Sequence, residues 1–454
     1  MQVNTPVRRP SVATHEGAPA RALTPEHELQ RSLMCCLLWE GEFYESGADI
    51  AARIVSLIPK CRPEFVAGLA VTAREAMKLR HAPLLVVREM ARLPSHKALV
   101  AQTLERVIQR PDEMTEFLAI YWKEKRQPLS AQVKKGLARA FRKFNEYSLA
   151  KYDRDGAVKL RDVLFLSHSK PKDSTIKFTK LERKGKDEYD LAEHEQLYKR
   201  VVDRKLTTPD TWEVELSAGG DKLASWTRLL AEDKLGALAL LRNLRNMLEA
   251  KVDDAAIRKA LLALKPERVL PFRFIAAARH APRFEPELEA AMLRSLESAE
   301  KLKGHTVLLV DVSGSMDAAI SQRSDLQRLD AACGLAMLCR EVCESVGVYT
   351  FSNNVVECPP RRGFALRDAV VKSQQHGGTY LGQAVQAVNA QRKFDRLIVL
   401  TDEQSADPVG KPAGLGYMVN VASAKNGVGY GPWVHIDGWS EAIIDYIRAF
   451  EAAN

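Results

Sequence analysis

The sequence of 454 residues predicts an all-α region followed by a doubly wound α/β domain, because the spacing of apolar residues changes along the chain. From Thr24 to Lys303 apolar residues recur almost only at helical spacing, and prolines separate segments of helical length. From Gly304 onward, short continuous apolar runs alternate with helical patterns, which indicates a parallel sheet covered on both faces. We therefore expect three parts, residues 1–23, 24–303 and 304–454.

The first part is rich in Pro, Arg and Thr and has little apolar patterning, which predicts a flexible basic arm over residues 1–23. One segment of the second part shows its helical character well. After Ser130, a plausible N-cap, a stripe of apolar residues recurs at spacings of three and four: Val133, Leu137, Phe141 and Phe144. No repeat of fixed period is visible, which permits degenerate HEAT-like helix pairs.

Basic residues follow the same helical spacing on another side of that segment, at Lys135, Arg139 and Arg142. The helix can therefore bury one face and offer a basic one. The net charge of the chain is +9, yet residues 301–454 hold 15 basic and 16 acidic side chains. The surplus belongs to residues 1–300, which favours a polyanionic partner there, with improved solubility as the plainer alternative.

The third part contains four strand-like runs and two helix patterns. The strands are expected at residues 305–310, 347–351, 397–400 and 417–421, and the helices at residues 325–343 and 440–450. Seven scattered cysteines form no CxxC pair, so we interpret them as reduced core thiols. The Gly-rich run at residues 427–431 lacks the dinucleotide-binding spacing and predicts a loop.

Polar side chains cluster where the strands of this domain end. Asp311, Ser313 and Ser315 form a D-x-S-x-S pattern after the first strand, Thr379 follows two glycines, and Asp402 follows the strand at 397–400. Ligands of open parallel sheets bind at the carboxyl ends of the strands. Carboxylates and hydroxyls are hard oxygen donors suited to Mg²⁺ or Mn²⁺, and an open position could take a partner's carboxylate or phosphate. The alternative is structural, with the serines capping a helix and Asp311 accepting backbone N–H bonds.

This oxygen-donor pattern resembles the metal-ion-dependent adhesion site of the von Willebrand factor A domain. The helical region contains four motifs: AKY at 150–152, LSHSKP at 166–171, LRNLRNM at 241–247 and LPF at 270–272. With these motifs, the helical region resembles the TROVE module of the Ro autoantigen family. The resemblance implies a monomeric ring of HEAT-type helical repeats closed by an A domain. It also implies binding of small noncoding Y-like RNA and of single-stranded 3′ ends of misfolded RNA.

Family RNA contacts carried over onto matching motif positions fall on Lys151 in AKY and His168 in LSH. Further basic residues lie near them in sequence: Arg154, Arg161, Lys170 and Lys172. Lysine and arginine donate to phosphate oxygens, and histidine can also stack on an unpaired base. Taken singly, each of these basic residues is better explained as a solvated surface charge. Taken together with the histidine, they are explained as well by RNA binding.

No signature of a P-loop ATPase, a zinc protease or an α/β-hydrolase is present, so we expect no enzymatic activity. The absence of a long apolar run predicts a cytoplasmic protein that does not enter a membrane. The leading hypothesis is an RNA-binding ribonucleoprotein component acting in RNA quality control or processing, which could deliver RNA to a nuclease or repair enzyme. Two alternatives remain: an adaptor whose A domain binds an acidic ligand through Mg²⁺, and a metal-assisted phosphohydrolase.

Overall fold

The computed structural model describes residues 12–20, 23–34, 47–153, 155–171, 193–217, 219–265, 269, 271–297, 299–320, 326–391, 393–422, 424, 426–438 and 442–453. The chain divides into two compact units, one formed by residues 51–218 and the other by residues 1–50 together with 219–454. The Arg154 and Lys172 positions and the start of the predicted basic arm lie outside the described residues.

The unit at residues 51–218 is built from helices. Helix α2 (Gly47–Leu57) begins just before residue 51 and continues into this unit, and a 3₁₀ turn follows at Ile58–Lys60. The remaining helices are α3 (Pro63–Glu75), α4 (His81–Arg92), α5 (Lys97–Val107), α6 (Pro111–Tyr121), α7 (Ala131–Phe141), α8 (Glu146–Tyr152), α9 (Leu160–Ser167), α10 (Glu193–Asp203) and α11 (Trp212–Ser217). Alternate helices pack on one another, α3 on α5, α5 on α7 and α7 on α9, while α4 packs on α6. Packing of each helix on the second one along the chain is how HEAT-like arrays can bury an apolar stripe.

The predicted helix after Ser130 is confirmed as α7. The Ser130 hydroxyl accepts a hydrogen bond from the Val133 amide at 3.3 Å, as an N-cap should. Val133, Leu137 and Phe141 are fully buried. Phe144 lies beyond the end of the helix, is only half-buried and continues the stripe into the next turn.

The second unit starts with α1 (Pro25–Met34) and resumes after residue 218. Its helical portion contains α12 (Lys222–Ala231), α13 (Ala237–Glu249), α14 (Asp254–Ala263), α15 (Pro271–His280), a 3₁₀ turn at Pro282–Phe284 and α16 (Glu285–Leu296). Here too alternate helices pack, α12 on α14, α14 on α16 and α13 on α15. The DxSxS region and the sheet belong to this same unit.

The α/β domain contains β1 (Leu302–Asp311), a 3₁₀ turn at Gly314–Asp317, α17 (Arg328–Val342), β2 (Cys343–Phe351), β3 (Val355–Glu357), α18 (Gly363–Val371), α19 (Leu381–Gln391), β4 (Arg396–Thr401), β5 (Leu415–Asn420), β6 (Val434–Asp437) and α20 (Ala442–Ala453). The strand order is β3-β2-β1-β4-β5-β6. All neighbours are parallel except β3, which pairs antiparallel with β2. The prediction of a doubly wound domain is confirmed, but the sequence missed the two short edge strands.

The helical array continues into the α/β domain without a break in packing, because α15 packs on α17. Gly334 of α17 makes this approach possible: a Cβ there would lie 3.0 Å from the Phe272 backbone nitrogen. Among the described cysteines, Cys61, Cys333, Cys339, Cys343 and Cys358 are free and buried. Burial raises the pKa of the Cys339 thiol well above its usual range, which keeps it protonated. No described helix is long and apolar enough to cross a bilayer.

Residues 12–20, which the sequence assigns to a flexible arm, are packed against the α/β domain instead. A β-bridge joins Ala13 to Pro19, and Thr14 and Ala18 are buried. The Thr14 hydroxyl donates to the Ser405 carbonyl at 2.7 Å. Composition missed this contact because its partners lie near the other end of the chain.

Candidate functional site

The predicted metal-site residues come from three loops at one edge of the sheet. Asp311 ends β1, Thr401 ends β4, and these neighbouring parallel strands carry their polar residues at the same end. Thr379 lies two residues before α19 begins at Leu381. The fold thus puts Asp311, Thr379 and Asp402 at the carboxyl ends of the central strands, where open sheets form their sites.

Hydrogen bonds join the three loops to one another. The Gly314 amide donates to the Gly377 carbonyl at 3.0 Å, and the Ala406 amide donates to the Thr379 carbonyl at 2.7 Å. The Thr401 hydroxyl donates to Asp311 Oδ2 at 2.6 Å. The loops therefore form one connected structure, in which the positions of the candidate ligands depend on each other.

The site is almost closed to solvent. Asp311 and Asp402 have no exposed surface, Ser313 and Thr379 are buried, and Ser315 is half-buried. The hydroxyls of Ser313 and Ser315 lie 3.3 Å apart. Burial, and then the charge of Asp402, raise the pKa of Asp311 to about 7. Two buried carboxylates that repel each other are stabilised by a cation.

The donor set fits a hard divalent cation, since it combines two carboxylates with three hydroxyls and no nitrogen or sulfur. Among the residues described, no cluster of three or more His, Cys, Asp or Glu side chains could hold a metal. The predicted set contains only two such residues, Asp311 and Asp402. If an ion binds, hydroxyl oxygens must supply most of its protein ligands.

The alternative to a metal site, in which the serines cap a helix and Asp311 accepts backbone N–H bonds, is confirmed in part. The Ser313 amide donates to Asp311 Oδ1 at 2.8 Å, as that alternative requires. Ser313 precedes the 3₁₀ turn at Gly314–Asp317, but its side chain makes no capping hydrogen bond there. Because a carboxylate offers about four acceptor positions, the backbone bond leaves Asp311 able to take a further partner.

Sequence reasoning missed Arg328, the first residue of α17. Its side chain is buried, with Nη1 3.4 Å from Asp402 Oδ2 and 3.5 Å from the Ser315 carbonyl. A positive charge is therefore built into the site on the Asp402 side. No motif marks this residue, because an arginine at the start of a helix carries no signature of its own.

A second missed feature is a buried charge cluster directly beside Asp402. Glu403 forms an ion pair with Arg31 of α1, and its other oxygen lies 2.6 Å from His435 Nε2. His435 Nδ1 in turn lies 3.2 Å from Asp437 Oδ2. Arg31 also donates from Nε to the Ala424 carbonyl at 2.5 Å. Two cations and two anions thus compensate one another inside the protein.

The ion pairs in this cluster set the pKa values of Glu403 and His435. Burial alone would raise the pKa of Glu403, but His435 and Arg31 outweigh it and lower that pKa to about 2. Burial would likewise lower the pKa of His435, but Asp437 and Glu403 raise it to about 9. At neutral pH the Glu403 carboxyl is therefore deprotonated and the His435 imidazole is protonated. Tyr430 stacks on His435 with ring centroids 3.9 Å apart.

The Gly-rich run forms the predicted loop and closes around this cluster. A Cβ on Gly427 would overlap Glu403 Oε2, and a Cβ on Gly429 would overlap Glu403 Oε1. The glycines are therefore needed for close approach of the backbone to buried side chains, and not for binding a phosphate.

The predicted RNA-binding residues all belong to the unit at residues 51–218. Three of them meet at the ends of α7 and α9. Arg142 Nε donates to the Lys170 carbonyl at 2.8 Å, and Lys170 follows His168 by two residues. All three are exposed. His168 also has a structural role, since its left-handed backbone with φ 54° ends α9.

The other predicted RNA-binding residues on and near these helices differ in exposure and in their contacts. Lys135 is exposed on α7, but Arg139 pairs with Glu105 at 3.4 Å. Arg161 lies over the Phe165 ring and donates to the Val202 carbonyl at 3.4 Å. The charge of Arg139 is thus paired with an acid, and Arg161 uses part of its hydrogen-bonding capacity on the protein's own backbone.

Lys151 lies in a cleft of about 1210 Å³ that α8 forms with residues 204–216. Its ammonium group is 3.3 Å from the Glu213 carboxylate. The cleft is also lined by Arg204, Thr207 and the half-buried indole of Trp212. No sequence motif pointed to Trp212, since a lone tryptophan in a polar segment has no distinguishing pattern. The arrangement combines cations, hydroxyls and an aromatic face, the groups that unpaired nucleotides use.

Comparison with known proteins gives a consistent picture. A family model described as "TROVE domain" matches residues 199–327, and one described as "Ro60 vWA domain" matches residues 305–413. The solved structure of the Deinococcus radiodurans Ro (RSR) protein is similar at 19% identity and a TM-score of 0.59, covering 94% of this chain and 99% of that one. That similarity shows the fold.

Two curated relatives match shorter stretches. Telomerase protein component 1 of Rattus norvegicus is 24% identical over 310 residues, which is 52% of this chain and 12% of the relative. The Mus musculus protein of the same name is 36% identical over 92 residues, 19% of this chain and 4% of the relative. The chain thus spans a small fraction of the curated relatives it matches.

Proposed function

Because this chain belongs to the Ro/TROVE family, we propose that it binds RNA through the helical unit at residues 51–218. The observation that carries the proposal is the exposed group Arg142, Lys170 and His168, which the ends of α7 and α9 bring together. Cations near an exposed imidazole can hold phosphates and contact an unpaired base. Lys135 extends the basic surface along α7.

The ligands we propose are small noncoding Y-like RNA and single-stranded 3′ ends of misfolded RNA, bound during RNA quality control or processing. Structured RNA would rest on the basic surface through its phosphates, whereas an unpaired end offers bases to aromatic faces. The cleft at Lys151 and Trp212 suits such an end. A nuclease or RNA repair enzyme would be a partner that receives the RNA, and the cytoplasm would be the compartment.

We further propose that the α/β domain binds Mg²⁺ or Mn²⁺ through Asp311, Ser313, Ser315, Thr379 and Asp402. The ion would supply a positive centre whose open position accepts a partner's carboxylate or phosphate. Ser313 and Ser315 would bring hydroxyl oxygens to it, and Arg328 would hold the Asp402 carboxylate in place from the other side. We assign it a recruiting role and no catalytic one.

The test of RNA binding is the salt dependence of affinity for the full chain. A hairpin RNA with a single-stranded 3′ tail should lose about 0.7 log units of affinity per log unit of salt for each tail phosphate neutralised. The double variant Arg142→Ala/Lys170→Ala should bind more weakly and with a smaller slope. The control Lys60→Ala/Lys97→Ala removes the same charge from exposed positions elsewhere in the unit. Equal losses of RNA affinity in the two double variants would contradict a specific RNA-binding surface at Arg142 and Lys170.

The second candidate function is an adaptor that binds an acidic ligand through the ion, and the observation that favours it is the oxygen-donor set at the sheet edge. Mn²⁺ binding to the full chain, followed by electron paramagnetic resonance, tests it. Asp311→Ala should abolish binding, and Asp368→Ala, which removes an exposed carboxylate of the same domain, should not. RNA affinity that survives Asp311→Ala supports the helical unit as the RNA site, and its loss in a folded variant would move that site to the α/β domain.

A further inference from the structure

The residue that directly follows the candidate ligand Asp402 has a strained backbone. Glu403 adopts φ 60°, in the left-handed region, and has no exposed surface. A side chain other than glycine or asparagine is seldom found there, since the conformation costs about 1 kcal/mol or more. Something in the surrounding structure must hold the turn, because an unsupported loop would relax to a more common conformation.

The contacts of Glu403 supply that support. Its amide donates to the Thr401 hydroxyl at 3.0 Å, and the same hydroxyl donates to Asp311 Oδ2 at 2.6 Å. Its carboxylate is held by Arg31 and His435. A continuous path of hydrogen bonds therefore runs from Arg31 through Glu403 and Thr401 to the candidate ligand Asp311.

The stretch before α1 makes a second attachment to the same loop. Thr14 donates to the Ser405 carbonyl at 2.7 Å, and the His15 amide donates to Gln404 Oε1 at 2.8 Å. The Gln404 amide lies 3.3 Å from Asp402 Oδ1. Residues 12–20 and 23–34, which we name the N-terminal clamp, thus reach the loop at residues 401–406 from two places.

We propose that the N-terminal clamp holds the loop at residues 401–406 in the conformation that presents Asp402 and Asp311 to a cation, with Arg31 as a positioning residue. The role in cation binding rests on the metal site proposed above. Because coupling between two binding events is reciprocal, a bound ion should also tighten the clamp on the loop. Occupancy of the α/β domain is in this way linked to a segment nearly 400 residues away in sequence.

Hydrogen exchange of the metal-free full chain tests the clamp without any ion. In Arg31→Lys the charge is kept, but a lysine cannot reach Glu403 and the Ala424 carbonyl together as the guanidinium does. Amides at residues 403–406 should exchange about 10-fold faster than in the wild type. Arg258→Lys, which alters an ion pair with Glu287 away from the loop, should leave them unchanged. Unchanged exchange in Arg31→Lys would overturn the proposal.

Mn²⁺ affinity of the same proteins tests the consequence for the ion. Arg31→Lys should bind Mn²⁺ about 10-fold more weakly, a loss of roughly 1.4 kcal/mol, while Arg258→Lys should match the wild type. Thr14→Val removes the hydrogen bond to the Ser405 carbonyl and the one that the hydroxyl accepts from the Ala18 amide. It should weaken Mn²⁺ binding in the same direction, and it provides a second variant if Arg31→Lys does not fold. If the wild type bound no Mn²⁺, the metal site and the clamp's role in it would both be overturned. The hydrogen-exchange experiment would still decide whether the clamp orders the loop at residues 401–406.

Discussion

Arg31 and Glu403, 372 positions apart in the sequence, form an ion pair whose side chains are 1% and 0% exposed. The pair joins the first described helix to the loop that carries Asp402. Breaking a buried pair by removing one partner leaves the other charge without compensation, which is far more costly than losing a surface pair.

Arg31→Ala should lower the free energy of unfolding by about 3–5 kcal/mol, because Glu403 would remain buried and charged. Denaturant unfolding of the full chain measures this loss. Arg106→Ala is the matched control, since it breaks a two-point ion pair with Glu75 on the surface and should have little effect. A small loss in both variants would mean that His435 alone compensates Glu403.

The stability of the protein should fall as the solution becomes alkaline. Asp437 and Glu403 raise the pKa of His435 to about 9 against burial, with Arg31 and Tyr430 as its other neighbours. A group whose pKa is raised by folding stabilises the folded state fully below its unfolded pKa, near 6.5, and that stabilisation disappears as the pH rises through about 9. Unfolding free energies between pH 6 and pH 10 should show this slope.

His435→Gln should remove the alkaline slope, because glutamine does not titrate in that range. A slope of the same size in the variant would assign it to another group. Glu403 acts at the other end of the pH scale: its lowered pKa means that its contribution is lost as the pH falls toward about 2.

Gly429→Ala should destabilise the protein by about 1–3 kcal/mol, since the added methyl group would overlap Glu403 and approach His435. Gly410→Ala is the control within the same domain, because a Cβ there meets nothing within 4 Å. Thermal unfolding of the two variants checks the difference. Equal melting temperatures would show that the loop moves aside freely.

Glu213→Gln should strengthen RNA binding. The Glu213 carboxylate lies 3.3 Å from the Lys151 ammonium group and competes with phosphate for it. With the acid gone, one more phosphate can be neutralised, so the salt slope should steepen by about 0.7 for a single strand. Fluorescence anisotropy at several salt concentrations measures both quantities.

Glu232→Gln removes the same charge from α12, where Glu232 pairs with Arg228 and Lys234. RNA affinity should not change in that control. A tighter complex in both variants would reflect net charge alone, and no change in Glu213→Gln would exclude Lys151 from the RNA site.

The parts of the fold that the sequence predicts are those written in local patterns. Helical spacing gave α7 and its Ser130 cap, and continuous apolar runs gave the four central strands. The two edge strands are too short, at three and four residues, to carry a pattern. The proximity of the oxygen-donor residues could be predicted because they lie at strand ends or shortly after strand ends and glycines. Cation binding by these residues stays a prediction.

The Arg31–Glu403 pair and Arg328 could not be predicted, because long-range ion pairs leave no local trace in composition or spacing. In the sequence, Glu403 is one more acidic residue in a polar loop, and Arg31 is a basic residue on an amphipathic helix. The same limit applies to the RNA surface. Sequence proximity grouped Lys151 with His168 and Lys170, whereas the described contacts join Arg142 to Lys170 and put Lys151 beside Glu213.

Photochemical crosslinking of a hairpin RNA with a 4-thiouridine-labelled 3′ tail to the full chain tests the central claim most directly. Peptide mass spectrometry then locates the attached residues. We predict crosslinks within residues 131–171 and at the cleft near Trp212, retained in Asp311→Ala and reduced in Arg142→Ala/Lys170→Ala. Crosslinks confined to the loops around Asp311 and Asp402, and lost in Asp311→Ala, would contradict an RNA site in the helical unit.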